Sequence, residues 1–150
     1  MRIQSAPALL YASALIIASF KFLPRINQNI KILDKIDFHP FKNSNDLFAM
    51  TAHILFTKID SFNVSTHSKL VIREIRNRIG FKNIIITDDI SMKALRYDIE
   101  NNTKKAFTAG CNLVLHCNAN LKEMEIVANN SPFLSKFILK KTSQFYKILS

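Results

Sequence analysis

"NIIITDDISMKAL", residues 83–95, is the stretch that decides the predicted fold. Its run of isoleucines is typical of a buried strand, and Thr87, Asp88 and Asp89 follow directly, before residues that predict a helix. Two interpretations fit the adjacent carboxylates. Aspartate is favoured at helix starts, where it accepts hydrogen bonds from free N–H groups. Alternatively, one of the two acids carries out chemistry.

Apolar strands alternate with helical segments on both sides of this stretch. The predicted strands are 48–56, 83–87 and 112–117, and the predicted helices are 69–80, 103–109, 121–128 and 133–148, with helical turns within 27–48. Apolar strands joined through helices predict an α/β fold with a parallel sheet. Functional groups gather at the carboxyl ends of such strands, and all three ends are polar, at residues 51–53, 87–89 and 116–118.

Composition excludes several classes of function. The 150 residues suit one domain, and only two glycines leave no Gly-rich loop for phosphate binding. The net charge of +10 is spread along the chain, so it does not favour a nucleic-acid partner. Cys111 and Cys117 lack a CxxC pairing and a histidine at ligand spacing to both. We therefore expect two core thiols in a reducing compartment, with no metal and no cofactor.

Residues 1–21 form a separate segment with an apolar run at 6–18. The run is too short for a spanning helix and fits either a signal peptide or a buried helix. The segment has no clear small-x-small cleavage site before Lys21, which favours the buried helix.

Several motifs together resemble glycoside hydrolase family 3, and within it the bacterial β-N-acetylhexosaminidases that recycle cell-wall sugars. The motifs are "RNRIGFKNIIITDDISMKAL" (76–95), "KKAFTAGCNLVLHCN" (104–118), "IDFHPFK" (36–42) and "MTAHI" (50–54). They follow the family's order and spacing from about Phe22 to the end of the chain, which sets the predicted domain at 22–150.

The resemblance implies a retaining glycosidase, in which a carboxylate attacks the anomeric carbon and water later releases the sugar. The family's nucleophile is the first acid after the Ser or Thr, which is Asp88 here. Asp89 is expected to point to the other side and to fix the following loop. For His53, two roles stay open: it lines the sugar pocket, or it is a hydrogen-bonded barrel histidine without a sugar contact.

The chain also departs from the family pattern. The family's acid/base histidine loop and its sugar-gripping residues precede the region that begins at Leu23, and residues 1–21 contain no histidine, glycine or acid. A complete barrel of this type needs eight strands and about 250 residues. Asn83 stands where the family has Gly, and Asn112 where it has Asp.

We therefore predict a partial (β/α)8 TIM barrel, roughly its last three βα units, with an added apolar N-terminal helix. The predicted function is that of a truncated, cytoplasmic β-N-acetylhexosaminidase that is inactive alone. One alternative is the active half of a split enzyme, and another is a small secreted or membrane-tethered binding protein. The expected partners are N-acetylglucosamine-containing cell-wall fragments once the barrel is complete, and an amino-terminal barrel half or a second copy of this chain.

Overall fold

The structure, a computed structural model, describes residues 23–42 and 44–149, with side chains up to residue 143. In chain order its elements are β1 (Arg25–Ile26), α1 (Ile30–Lys35), β2 (Phe48–Thr51), β3 (Leu55–Phe56), α2 (Lys69–Glu74), β4 (Ile84–Asp89), α3 (Ile99–Ala109), β5 (Leu113–Leu115), α4 (Leu121–Asn129) and α5 (Lys136–Leu149). A π-helical turn, Ile75–Ile79, continues α2. The predicted apolar helix in residues 1–21 lies outside the described residues.

All strand pairs in the described part of the chain are parallel, as the sequence predicts. One sheet has the order β2-β4-β5, and a separate pair joins β1 to β3. The prediction of three strands is therefore wrong, because the segment 48–56 forms two strands rather than one. A tight turn separates β2 from β3, and in it the Ile54 N–H donates to the Ala52 carbonyl at 3.0 Å. After this turn, β3 pairs with β1.

The helices α2 and α3 cover one face of the β2-β4-β5 sheet. Ile85 and Ala106 are both 0% exposed in the main core cluster, which also contains Ile72 of α2. Strand residues alternate between faces, so Met50, Ile86 and Asp88 share the opposite face. That face is more open, since Met50 is 59% exposed.

The prediction of a helix directly after Asp89 is wrong. The interpretation of Asp88 and Asp89 as helix caps is therefore wrong as well. β4 continues to Asp89, a turn follows, and α3 begins at Ile99 rather than near Thr103. The N-cap of α3 is Asp98, whose carboxylate accepts a hydrogen bond from the Asn101 N–H. Asp88 and Asp89 are therefore strand residues.

Other helix boundaries follow their sequence signals. Ser68 caps α2 by accepting a hydrogen bond from the Val71 N–H. The π-helical turn ends at Gly80, which has a φ of +83°, and α3 ends at Gly110 with a φ of +112°. Because side chains are strained at such positive φ values, glycine suits both ends.

The amino ends of β4 and β5 are joined by Arg76. Its guanidinium donates to the carbonyls of Phe81 (3.1 Å) and Asn83 (2.6 Å) and to the Asn112 side-chain oxygen (2.7 Å). Asn112 Oδ1 also accepts from the Ile85 N–H at 2.9 Å. This half-buried group fixes the position of β5 beside β4 at the edge remote from Asp88.

The two cysteines differ in environment, which corrects the prediction of two core thiols. Cys111 is 5% exposed in the main core, whereas Cys117 is exposed on the loop after β5. The described part of the chain contains no helix with the length and apolar character needed to cross a membrane.

Candidate functional site

The candidate site lies at the carboxyl ends of β2, β4 and β5, as the sequence predicts. Thr51 and Thr87 are register partners at the ends of β2 and β4, and Asp89 is the register partner of Leu115 in β5. The loops that follow β2 and β5 bring His53 and residues 116–118 to the edge of the sheet where β4 carries Asp88.

Asp88 lies half-buried on the more open face of the sheet. Its Oδ1 accepts a hydrogen bond from the Asp89 N–H at 2.8 Å, and no ion pair involves Asp88 among the described residues. A carboxylate with one oxygen held and without a bound cation retains its nucleophilic lone pairs. The arrangement suits a group that attacks an electrophilic carbon placed over this face.

Asp89 points away from Asp88 and stabilises two loops. Its carboxylate accepts from the Ser91 N–H at 3.0 Å, from the Ser91 hydroxyl at 2.8 Å and from the Cys117 N–H at 3.2 Å. These bonds tie the β4 loop to the β5 loop, as expected for an acid that fixes its loop. These hydrogen bonds engage both carboxylate oxygens of Asp89, whereas the Asp88 carboxylate accepts a hydrogen bond at Oδ1 from the Asp89 N–H. Asp89 is therefore less available for chemistry than Asp88.

His53 lies between β2 and β3 and is 0% exposed. Its Nδ1 is 2.8 Å from the Thr66 hydroxyl, and its Nε2 is 2.8 Å from the Asp89 carbonyl oxygen. Burial lowers the pKa of His53, and the opposing effect of its hydrogen bond to Asp89 and of the nearby aspartates is smaller. With both ring nitrogens bonded, a polar contact from His53 to a sugar would require the loss of one of these bonds.

The loop after β5 is held to α4 by a histidine and carboxylate pair. His116 Nε2 is 2.8 Å from Glu123 Oε2, and the Asn118 amide donates to the same oxygen at 2.6 Å. These two hydrogen bonds lower the pKa of Glu123. The pair fixes the loop that carries Cys117, in which Ala119 adopts a φ of 58°.

The thiol of Cys117 is a poor nucleophile in this setting. Partial desolvation and the charges of Asp89 and Asp88 raise its pKa, so the reactive thiolate is disfavoured at neutral pH. Across residues 23–42 and 44–149, no group of three or more His, Cys, Asp or Glu side chains is arranged to hold a metal ion. Among the site residues described, Asp88 is the best candidate for covalent chemistry.

Sequence reasoning placed Thr51 at a polar strand end without a role and gave Thr66 no place in this site. Thr66 bonds the ring of His53, and the Thr51 hydroxyl lies 3.1 Å from that of Thr66. Thr51 has a sequence signal, because it precedes His53 by two residues at a predicted strand end. Thr66 has none, since it lies 13 residues after His53 along the chain, beyond β3.

Comparison with known proteins gives one consistent family. The model described as "Glycosyl hydrolase family 3 N terminal domain" matches residues 17–138. A β-hexosaminidase of Nitrosomonas eutropha is 34% identical over 97 residues, which cover 61% of this chain and 28% of the relative. A β-hexosaminidase of Methylobacillus flagellatus is 33% identical over 82 residues, 53% of this chain and 24% of the relative.

Solved structures agree with the fold. A glycoside hydrolase family 3 β-N-acetylglucosaminidase from Paenibacillus sp. superposes with a TM-score of 0.71 at 21% identity, over 86% of this chain and 27% of that chain. The β-N-acetylglucosaminidase of Thermotoga maritima superposes with a TM-score of 0.62 at 27% identity, over 71% of this chain and 26% of that chain. The aligned region therefore corresponds to about a quarter of each of these larger proteins.

Proposed function

Because the chain belongs to the family of the glycosyl hydrolase family 3 N terminal domain, we propose that Asp88 is the nucleophile of a retaining β-N-acetylhexosaminidase. The observation that carries this proposal is the position of Asp88, at the carboxyl end of β4 on the face opposite α2 and α3, with one oxygen held by the Asp89 N–H. The β-hexosaminidases to which the chain is similar support the substrate class.

In the proposed reaction, Asp88 attacks the anomeric carbon and forms a covalent glycosyl-enzyme, which water then hydrolyses. A second group must protonate the leaving oxygen and later activate the water. Each described histidine ring that contacts the site is already bonded, His53 to Thr66 and Asp89, and His116 to Glu123. We propose that the acid/base group comes from a part of the barrel outside the described residues.

The proposal is that residues 22–150 are the carboxy-terminal part of a (β/α)8 barrel. In the described sheet β4 pairs on both sides, whereas β2 and β5 each pair with β4 alone. A closed barrel has no strand edges, so further strands beside β2 and β5 would complete it. Met50 of β2, at 59% exposure, would then lie in the barrel interior.

The partner proposed for this surface is an amino-terminal barrel half, and a second copy of the chain is the alternative. The chain alone is proposed to be inactive, since a glycosidase that works without its general acid is slower by about 10²- to 10⁴-fold. If the chain is instead the active half of a split enzyme, the partner half restores activity.

The experiment is hydrolysis of an aryl N-acetylglucosaminide by the chain alone and by the chain co-expressed with the amino-terminal half of a relative. We expect no turnover alone and turnover in the reassembled enzyme, abolished by Asp88→Asn. Asp37→Asn, at an exposed position before the His39–Phe41 turn, is the matched control and should retain activity. Full activity of the reassembled Asp88→Asn protein would disprove the role of Asp88.

A cytoplasmic location and a role in recycling cell-wall sugars belong to the same proposal. The supporting observation is that Cys111 and Cys117 are both free thiols. Unpaired cysteines are typical of reducing compartments. Fractionation of cells that produce the chain would test the location, and recovery outside the cytoplasm would contradict it.

A further inference from the structure

A chain of hydrogen bonds runs through the interior from β2 to the backbone carbonyl of Asp89, the residue after Asp88. It joins the Thr51 hydroxyl to the Thr66 hydroxyl (3.1 Å), Thr66 to His53 Nδ1 (2.8 Å), and His53 Nε2 to the Asp89 carbonyl oxygen (2.8 Å). All three side chains are buried, with His53 and Thr66 at 0% exposure and Thr51 at 3%. Burying a polar group without a hydrogen-bond partner costs free energy, so the three side chains are held in this one paired arrangement.

The direction of each hydrogen bond follows from the last one. A carbonyl oxygen only accepts, so His53 Nε2 carries a hydrogen and donates to Asp89. In the neutral ring Nδ1 must then accept, which makes Thr66 the donor to His53. The Thr66 oxygen is left to accept from Thr51. Burial favours this neutral form because it lowers the pKa of His53.

The Asp89 carbonyl is one of several fixed groups around the candidate nucleophile. Asp88 Oδ1 accepts from the Asp89 N–H, and the next residue, Ile90, donates its N–H to the Leu115 carbonyl at 2.9 Å. His53 therefore holds the end of β4 from the β2 side, while β5 holds it from the other side. Rotation of the Asp89 backbone would move the N–H group that orients the Asp88 carboxylate.

We propose that His53 is a positioning residue for Asp88: a neutral Nε2–H donor, fixed by Thr66, that holds the backbone of Asp89 and through it the nucleophile. In this role His53 acts on the protein backbone and makes no contact with the sugar. The inference rests on the proposed function of Asp88, but its test needs neither substrate nor a completed barrel.

The test is nuclear magnetic resonance of the full chain, labelled with 15N and 13C, near pH 7.5, in a Met50→Lys background that reduces self-association. The His53 ring should give the signals of a neutral ring with the hydrogen on Nε2. Either an Nδ1–H ring or a doubly protonated ring would overturn the proposal. The exposed His39 provides an internal reference for a solvated histidine.

Hydrogen exchange of the Asp89 amide measures how often the Asp88 carboxylate accepts from it. His53→Leu should speed this exchange by about tenfold, since a net contribution near 1.4 kcal/mol is typical of one buried hydrogen bond. His53→Gln retains an amide N–H near the position of Nε2 and should restore exchange to within about threefold of the original rate. Equal exchange rates in folded Leu and Gln variants would show a purely packing role and refute the proposal.

Thr66→Val provides a second variant in case His53→Leu does not fold. It removes the donor that fixes the ring at Nδ1, while the Asp89 carbonyl still selects the Nε2–H form, so Asp89 exchange should become faster without a change of tautomer. Unchanged Asp89 exchange in the folded variant would also overturn the proposal. Because Asp88 is tested separately by hydrolysis in the reassembled enzyme, failure of its catalytic role and failure of the positioning role are distinguishable.

Discussion

The junction of Arg76 and Asn112 at the amino ends of β4 and β5 gives a quantitative prediction about stability. The Arg76 guanidinium is half-buried and donates to three oxygens, those of Phe81, Asn83 and the Asn112 side chain. Burial lowers the pKa of Arg76, which indicates that this cation lacks full compensation for the water it has lost. A carboxylate at position 112 would provide that compensation.

We expect Asn112→Asp to stabilise the fold by about 1 kcal/mol, because Oδ1 keeps its bonds to Arg76 and the Ile85 N–H and gains a charge. Arg76→Met should destabilise it by about 3 kcal/mol, since hydrogen bonds from a charged donor contribute roughly 1.5–3 kcal/mol each and water replaces some of them. In the double variant, which combines Arg76→Met with Asn112→Asp, the new carboxylate would have no cation beside it. This should destabilise the fold by a further ~1 kcal/mol relative to Arg76→Met. The double-mutant cycle then predicts a coupling of about 2 kcal/mol.

The assay is urea unfolding followed by circular dichroism at low salt, with all four proteins measured at the same concentration. The slope of free energy against urea should be unchanged, so that midpoints report stability. Arg78→Met is the matched control, because Arg78 is on the exposed surface and contacts Glu74 one turn earlier. A coupling below about 0.5 kcal/mol would refute the argument that the guanidinium and the oxygen at position 112 act as a unit.

Three further predictions concern His67, the two glycines at helix ends, and Ala119. Burial lowers the pKa of His67 to about 4, so between pH 4 and 6.5 the unfolded chain binds more protons than the folded chain. The free energy of unfolding should therefore be highest above pH 6.5 and should fall on acidification by up to about 1.4 kcal/mol per pH unit. Urea titrations at several pH values should show a smaller slope for His67→Gln. Gly110→Ala should lower the free energy of unfolding by about 2 kcal/mol, because φ is +112° and the new Cβ would lie 3.1 Å from Ile72 Cγ2. Gly80→Ala, whose Cβ would have no atom within 4 Å, should cost about half as much. Equal losses in the two variants would contradict the steric argument. Ala119→Gly should raise the thermal midpoint, since relief of the φ of 58° outweighs the added freedom of the unfolded chain by less than about 1 kcal/mol.

A fourth prediction concerns association. Because β2 and β5 each have one strand partner in the described sheet and Met50 is 59% exposed, the purified chain should self-associate at micromolar concentration. Met50→Lys should reduce the association measured by sedimentation velocity. A sharp monomer peak for the unmodified chain, with a cooperative thermal transition, would contradict it.

The sequence by itself determined the parallel α/β architecture and the edge at which the site lies. Hydrophobic periodicity is a local property, so the core strand β4, the helix ends at Gly80 and Gly110, and the polar strand ends could all be predicted. The resemblance to the family, through a continuous motif, made Asp88 the candidate nucleophile. Each of these inferences depends on neighbours within a few residues along the chain.

Only the tertiary structure decided how the polar groups at that edge are used. The segment 48–56 forms two strands because β2 pairs with β4 while β3 pairs with β1. A single apolar run in the sequence does not show that its two halves pair with different strands. The contacts from His53 to Thr66 and to the Asp89 carbonyl span 13 and 36 residues. Hydrogen bonds between groups so far apart in sequence exist only once the strands are packed side by side, and so the role of His53 as a backbone donor follows from the fold and not from the motif that contains it.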